Sequence, residues 1–179
     1  MMTPRSLSLL CRGVLASLLL CPLLAAAADT TITAKGTITA NPCTVKDVPV
    51  SLDTVTVNDF KGQGSTVLGK DFHLVLTNCP AGLPQLSVRL DPTTSLIGPP
   101  TDGTVAFDTA STVRGVALQL NFSKSRGLVP LQQLFAINEY DPSKGGTVDL
   151  PLTASYRQTD ATVGGGSANT ALTFTLSYQ

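Results

Sequence analysis

The sequence predicts an all-β fold of the sandwich or barrel kind, and three observations predict it. Apolar and polar residues alternate with period two through most of the chain, the pattern of strands with one face buried. Clusters of Gly, Pro, Asn and Asp break the alternation at short, regular intervals. Threonine is abundant while glutamate occurs once, at Glu139, which favours strand over helix.

The start of the chain is set apart from this pattern. Arg5 and Arg12 precede an apolar run over residues 14–24, interrupted only by Ser17, Cys21 and Pro22, and then come Ala25, Ala26, Ala27 and Ala28. A basic region, a short apolar core and small residues at a cleavage site read as a secretory signal peptide, since a membrane span needs roughly 20 apolar residues. Cleavage after Ala27 assigns residues 1–27 to the signal and leaves 179 − 27 = 152 residues. The formal charge changes from 12 − 12 = 0 to 10 − 12 = −2, because only Arg5 and Arg12 are lost. Cys11 and Cys21 leave as well, so Cys43 and Cys79 remain in an oxidising compartment, and one disulfide is the natural reading. It would close a loop of about 37 residues, which the chain-entropy relation values at roughly 4 kcal/mol. Two free thiols or half a metal site are the weaker alternatives, as His73 is the only histidine and no C-x-x-C occurs.

Strands are then expected in order. Val48, Val50 and Leu52 lead to Val55 and Val57, and further alternation covers 73–76, 86–90, 105–107, 116–122, 148–154 and 172–178. Turn chemistry separates these runs at 61–64, 79–82, 98–100, 102–103, 144–146 and 164–166. A short helical turn is expected around 131–134. No internal repeat or linker divides the chain after the signal.

The two ends of the mature chain are unusual. In the segment 30–40, Thr30, Ile32, Ala34, Gly36, Ile38 and Ala40 point one way, and Thr31, Thr33, Lys35, Thr37 and Thr39 the other. Asn41-Pro42 follows directly before Cys43, a stiff joint with too little chain for a hairpin. One reading is an ordinary first strand paired far along the sequence. The sharper reading is a strand added to a neighbouring molecule's sheet. At the other end Leu172, Phe174, Leu176 and Tyr178 alternate with Thr173, Thr175 and Ser177, and only Gln179 follows. An uncovered apolar edge of that kind aggregates, so something else must cover it.

Several function classes are disfavoured. A net charge near zero gives no electrostatic footprint for nucleic acid. One His and one Glu leave an enzyme few general acids, bases or ligands, and no cofactor, metal or small-molecule substrate is expected. The segment 64–70 matches seven positions of a phosphate-binding loop, but Asp71 stands where a hydroxyl should meet Mg²⁺ and a strand follows instead of a helix. His73 beside Asp71 suggests a nucleophile relay only superficially, since no G-x-S-x-G elbow exists. Asn121-Phe122-Ser123 fits the glycosylation pattern by chance, and the basic turn over 124–127 reads as a solvated loop.

Taken together, Ala28-Asp29-Thr30-Thr31-Ile32-Thr33, Gly36 within the alternating segment, Pro42-Cys43-Thr44-Val45, Leu76-Thr77-Asn78-Cys79-Pro80, Gly166 and the penultimate Tyr178 resemble subunits of chaperone-usher fimbriae, in particular type 1 pilins. The N-terminal run is most similar to the minor adaptor subunits. The resemblance implies an incomplete immunoglobulin-like β-sandwich, the pilin fold, lacking its last strand and completed by donor-strand exchange. It implies a donor-strand extension over 28–41 and a pilin domain over 42–179. A periplasmic chaperone would lend a strand beside Leu172, Phe174, Leu176 and Tyr178, with Gly166 part of the same C-terminal motif and the carboxylate of Gln179 held by basic chaperone residues. At the outer-membrane usher the extension of a neighbouring pilin subunit, with Gly36 where a side chain would not fit, would replace it. The implied product is a head-to-tail fibre supporting adhesion and biofilm. The alternative is a self-contained secreted immunoglobulin-like binding module.

Overall fold

The structure is a computed structural model that describes residues 43–179. The expected signal peptide and the segment 30–40 lie outside the described residues.

Among the described residues, eight strands form two sheets. β1 (Thr44–Val45), β2 (Thr66–Cys79), β4 (Thr104–Val105), β5 (Val116–Phe122) and β7 (Gly146–Gln158) make the larger, in the order β1-β2-β7-β5-β4. β3 (Leu86–Pro92), β6 (Leu134–Ala136) and β8 (Leu172–Tyr178) make the smaller, in the order β6-β3-β8. Every pairing is antiparallel. That connectivity suits a sandwich whose two inner faces make one core and whose outer faces are solvated.

Alternation accounts for the inner faces. On β2 and β7, Phe72 faces Leu152, Leu74 faces Leu150 and Leu76 faces Val148. On the opposing sheet Leu86, Val88 and Leu90 of β3 stand in register with Tyr178, Leu176 and Phe174 of β8. Leu76, Leu86 and Val88 are wholly inaccessible to solvent, as are Val105, Val129 and Leu131. Each fully buried aliphatic side chain contributes about 1.5–3 kcal/mol. No buried side-chain polar atom among the described residues lacks a partner. Buried Gln158 is one example: its amide oxygen accepts from Gly62 N at 3.0 Å and its amide nitrogen donates to Asp160 O at 2.8 Å.

Three expectations require correction. The helical turn around 131–134 is absent. Leu131 N donates to Pro100 O and Gln132 N to Leu90 O, Gln132 adopts φ 56°, and β6 begins at Leu134. Pairing with Val88 and its neighbours supplies ladder bonds that a single isolated turn cannot match. The run 48–57 is not a strand: residues 46–55 join no ladder, and a single 3-10 turn occupies Val57–Asp59. The strand expected at 105–107 is shorter and shifted, at Thr104–Val105. At the 144–146 turn, Gly145 has φ 59°, and a Cβ there would lie 2.5 Å from Cys79 O, so this position admits only glycine.

Candidate functional site

β8 is the edge of its sheet. β3 occupies one side, and no strand of the described residues occupies the other. The consequence is visible in burial. Leu172, Phe174, Leu176 and Tyr178 point inward yet remain half-buried, whereas Leu90, Val88 and Leu86, the β3 partners of the last three, are buried. A strand that completed the sheet would cover them.

Opposite this edge runs the segment 46–55. Among the described residues no backbone hydrogen bond to another backbone group reaches it, and Val48 and Val50 are 37% and 36% exposed. Its ends are nonetheless held. β1 pairs Thr44 and Val45 with Thr77 and Leu76 of β2. At the far end Thr56 N donates to Asp59 Oδ2 at 2.7 Å, and the Thr56 hydroxyl donates to the same oxygen at 2.9 Å. These bonds hold the Asp59 carboxyl below its ordinary value, the backbone N–H contributing most. Between the ends, Asp53 meets Lys70 at 3.5 Å.

Between these two walls lies a groove of about 810 Å³. One wall is residues 47–52 and the other is 168–172 with Phe174. Its floor is apolar, formed by Phe72, Leu74, Leu120, Leu152 and Ala154, with Tyr156 at one end. A second hollow of about 150 Å³ continues it, sharing Leu52, Tyr156 and Ala168 and bounded by residues 163–166. Burial, and then the negative charge of Asp53, push the Tyr156 phenol up from its ordinary value. One wall without backbone partners and, among the described residues, an open β8 edge on the other, standing over an apolar floor, match the needs of an extended peptide. Ladder bonds would give affinity and alternate side chains would fill the floor.

The structure places the expected site residues unevenly. Cys43 and Cys79 are bonded to each other and buried, at 8% and 5% exposure, and tie the root of β1 to the end of β2. Asn78 beside them takes φ 57° at an irregularity in the β2–β7 register, a conformation Asn tolerates better than most residues. Leu172 and Phe174 line the groove, whereas Leu176 and Tyr178 continue β8 beyond it. Gly166 lies outside β8. A Cβ there would collide with the backbone at Thr112 and Val113, so close approach between two loops accounts for it, although it also bounds the second hollow. Gln179 exchanges backbone hydrogen bonds with Gln85, its N donating at 3.1 Å and its O accepting at 3.2 Å. Thr30, Ile32, Ala34, Gly36, Ile38 and Ala40 lie outside the described residues.

The remaining motifs have structural explanations. The 64–70 segment runs into β2 with an irregularity where Leu68 has φ 54°, and Lys70 is engaged by Asp53. His73 Nδ1 lies 2.8 Å from Asp149 on the exposed face of β2 and β7. Asp71 instead accepts from Thr153 at 2.6 Å and from Ser123 at 3.2 Å. Those hydroxyls, Thr153 first, lower the Asp71 carboxyl. Sequence reasoning identified the strands carrying the groove floor but missed the groove wall at 47–52. Alternation reports which residues face inward, and it cannot report which inward residues lack a covering strand.

Comparison with known proteins agrees with this geometry. The family model described as fimbrial protein matches residues 32–179. The chain is 31% identical over 153 residues to the major fimbrial subunit SMF-1 of Stenotrophomonas maltophilia strain K279a, covering 83% of this chain and 81% of that one. Among solved structures, it is 31% identical to the Burkholderia pseudomallei antigen and type I fimbria protein, covering 78% of this chain and 91% of that one, with TM-score 0.54. Two more distant structures share the fold. The CupB6 tip adhesin of Pseudomonas aeruginosa matches with TM-score 0.63 at 18% identity over 75% of this chain, which spans only 37% of that protein's length. A chaperone-usher pilus structure matches with TM-score 0.56 at 19% identity, over 86% of this chain and 97% of that one. A two-sheet antiparallel sandwich, found in a sequence whose residues 32–179 match the fimbrial protein model, leads to one conclusion: the chain belongs to the fimbrial protein family, as a subunit exported through the periplasm to a surface fimbrium.

Proposed function

We propose that this subunit polymerises by strand donation, and that the open groove beside β8 is where the donated strand lies. The observation that carries the reading is the coincidence of an unpaired strand edge, an unpaired facing segment and an apolar floor in one groove of about 810 Å³. The proposed organisation is a signal over 1–27, a donor strand over 28–41 and a pilin domain over 42–179. In the periplasm a chaperone lends a strand beside Leu172, Phe174, Leu176 and Tyr178. At the outer-membrane usher, Thr30, Ile32, Ala34, Gly36, Ile38 and Ala40 of a neighbouring subunit replace it. About four apolar side chains at roughly 1.5–3 kcal/mol each make dissociation slow. Because donor and acceptor surfaces differ, head-to-tail contact does not close and a filament results. The work of the subunit is structural, and the assembled fibre supports cell adhesion and biofilm formation.

The test uses the mature chain, the chain truncated before residue 42, and a peptide of residues 28–41. Truncated protein is expected to bind the peptide stoichiometrically with a rise in melting temperature, since a ligand bound only by the folded state stabilises it. The mature chain is expected to form head-to-tail polymers. A stable mature monomer whose two-state unfolding is unaffected by deleting residues 30–40 would overturn strand donation, and intramolecular cross-linking alone from a cysteine placed at Ile38 would identify a self-contained module.

A further inference from the structure

The two walls of the groove run in opposite directions. Cys43, just ahead of the first wall, donates its N–H to the hydroxyl of Tyr178 at the end of β8, at 2.9 Å. At the other end Leu52 shares the second hollow with Ala168, which lies ahead of β8. A strand laid between the walls therefore has a defined length to cover, from Tyr178 to Leu52. The apolar floor does little to fix its position along that length, because sliding an extended segment by two residues returns the same alternate face to the floor. In the segment 30–40 that face carries Thr30, Ile32, Ala34, Gly36, Ile38 and Ala40, of which only the two isoleucines are large. Shape by itself distinguishes neighbouring registers weakly.

Charge distinguishes them better. Of the described residues that line the groove, Asp47 alone carries a charge, and it is exposed and makes no ion pair with another described residue. Asp53, further along, is already engaged by Lys70 at 3.5 Å. Lys35 is the only charged residue of the segment 30–40 and stands at its middle, with five residues on each side. With Lys35 beside Asp47, one half of the segment ends level with Leu52, five residues on, where the second hollow begins. The other half runs past Asp47 toward Leu176 and Tyr178, which stand half-buried beyond the lining of the groove. Because Lys35 is central, this holds whichever way the strand points. A two-residue slip carries the ammonium about 7 Å from the carboxylate and leaves one end uncovered.

From this match we infer that Asp47 is a specificity residue that pairs with Lys35 of a neighbouring subunit, and that this ion pair at the rim fixes the register in which the donated strand is held. The inference rests on the strand-donation reading, which supplies the occupant of the groove but not its register. An exposed pair of this kind is worth about two- to fivefold in affinity. That is small beside the apolar contacts, yet it decides between registers in which those contacts are nearly the same.

The experiment uses fibres of the full mature chain, with the dissociation rate of fluorescently labelled subunits as the readout. Lys35→Asp alone and Asp47→Lys alone each replace attraction by repulsion and are expected to raise that rate about five- to tenfold, with the difference shrinking at high salt. The double variant Lys35→Asp with Asp47→Lys is expected to return to the unmodified rate. Mixing the two single variants is expected to give alternating fibres of the same rate, since every contact in them joins an Asp to a Lys. A general loss of subunit stability would instead accumulate in the double variant. Lys35→Asp with Asp53→Lys is expected to stay fast. Unchanged single variants overturn the inference, as does an unrescued double variant, even where the single variants fail to assemble. Rescue through Asp53→Lys overturns it too, by assigning a different register. Failure of the unmodified chain to form fibres overturns strand donation itself, a separate outcome.

Discussion

At the scale of single residues, short polar contacts tune the surface while close backbone approaches limit what can be substituted. Asp71 accepts from Thr153 and Ser123, and its carboxyl is lowered by those hydroxyls. A carboxyl whose folded value is lowered contributes stability that is complete above its unfolded value, near about 4, and is lost as the pH falls through the folded one. Asp71→Asn is therefore expected to show a shallower decline of melting temperature below about pH 4, read from thermal unfolding across an acid series. Gly166 offers a different test. The Thr112 carbonyl carbon would lie 2.5 Å from an added Cβ, so Gly166→Ala must displace backbone. A loss of about 1–3 kcal/mol is expected, read as a lower urea midpoint at unchanged slope.

At the scale of elements, residues of β8 and of the segment 46–55 line the same groove without sharing a ladder. Phe174 stands in register with Leu90 and lines the groove. Phe174→Ala is expected to weaken binding of the 28–41 peptide by about tenfold to a hundredfold, the equivalent of one buried side chain, in a titration with truncated protein. The facing wall predicts a change in protection. Amides of 46–55 lack backbone partners, so in the unfilled subunit they are expected to exchange quickly with solvent. Once the groove is filled, alternate amides on that segment are expected to become protected, whereas β2 and β7 are protected in both states. Equal exchange with and without peptide would show that only β8 contacts the added strand. The short helical turn expected at 131–134 failed at this same scale. Leu131 and Leu134 fit a helical spacing as well as a strand's end, and pairing with distant β3 decided between them.

At the scale of the molecule, the Cys43–Cys79 disulfide is a covalent restraint between distant parts of the described residues. It joins residues 36 apart and leaves both cysteines buried. The double variant Cys43→Ser with Cys79→Ser is expected to lose roughly 4 kcal/mol in chemical denaturation, with β1 and the root at Cys43 loosened first. Much of this molecule was legible in its sequence. Alternation located β3, β5 and β8 nearly to the residue, because each has one buried face and the side-chain period of a strand is two. It located only the central parts of β2 and β7, whose ends run on past the expected 73–76 and 148–154, in β2 across a register irregularity between Val67 and Lys70. The inward face of β8 was equally legible, since Leu172, Phe174, Leu176 and Tyr178 alternate with Thr173, Thr175 and Ser177. The start of the sequence pointed to an exported chain, in keeping with the fimbrial family it belongs to. Tertiary structure alone decided what stands opposite that edge. Val48, Val50 and Leu52 carry the same alternation as a true strand, yet their backbone joins no ladder and they form a wall of the groove. The physical reason is that alternation records which face of a chain meets apolar surroundings. Whether its backbone groups find partners depends on which other segments the fold brings within hydrogen-bonding distance, and among the described residues no strand stands between residues 46–55 and β8.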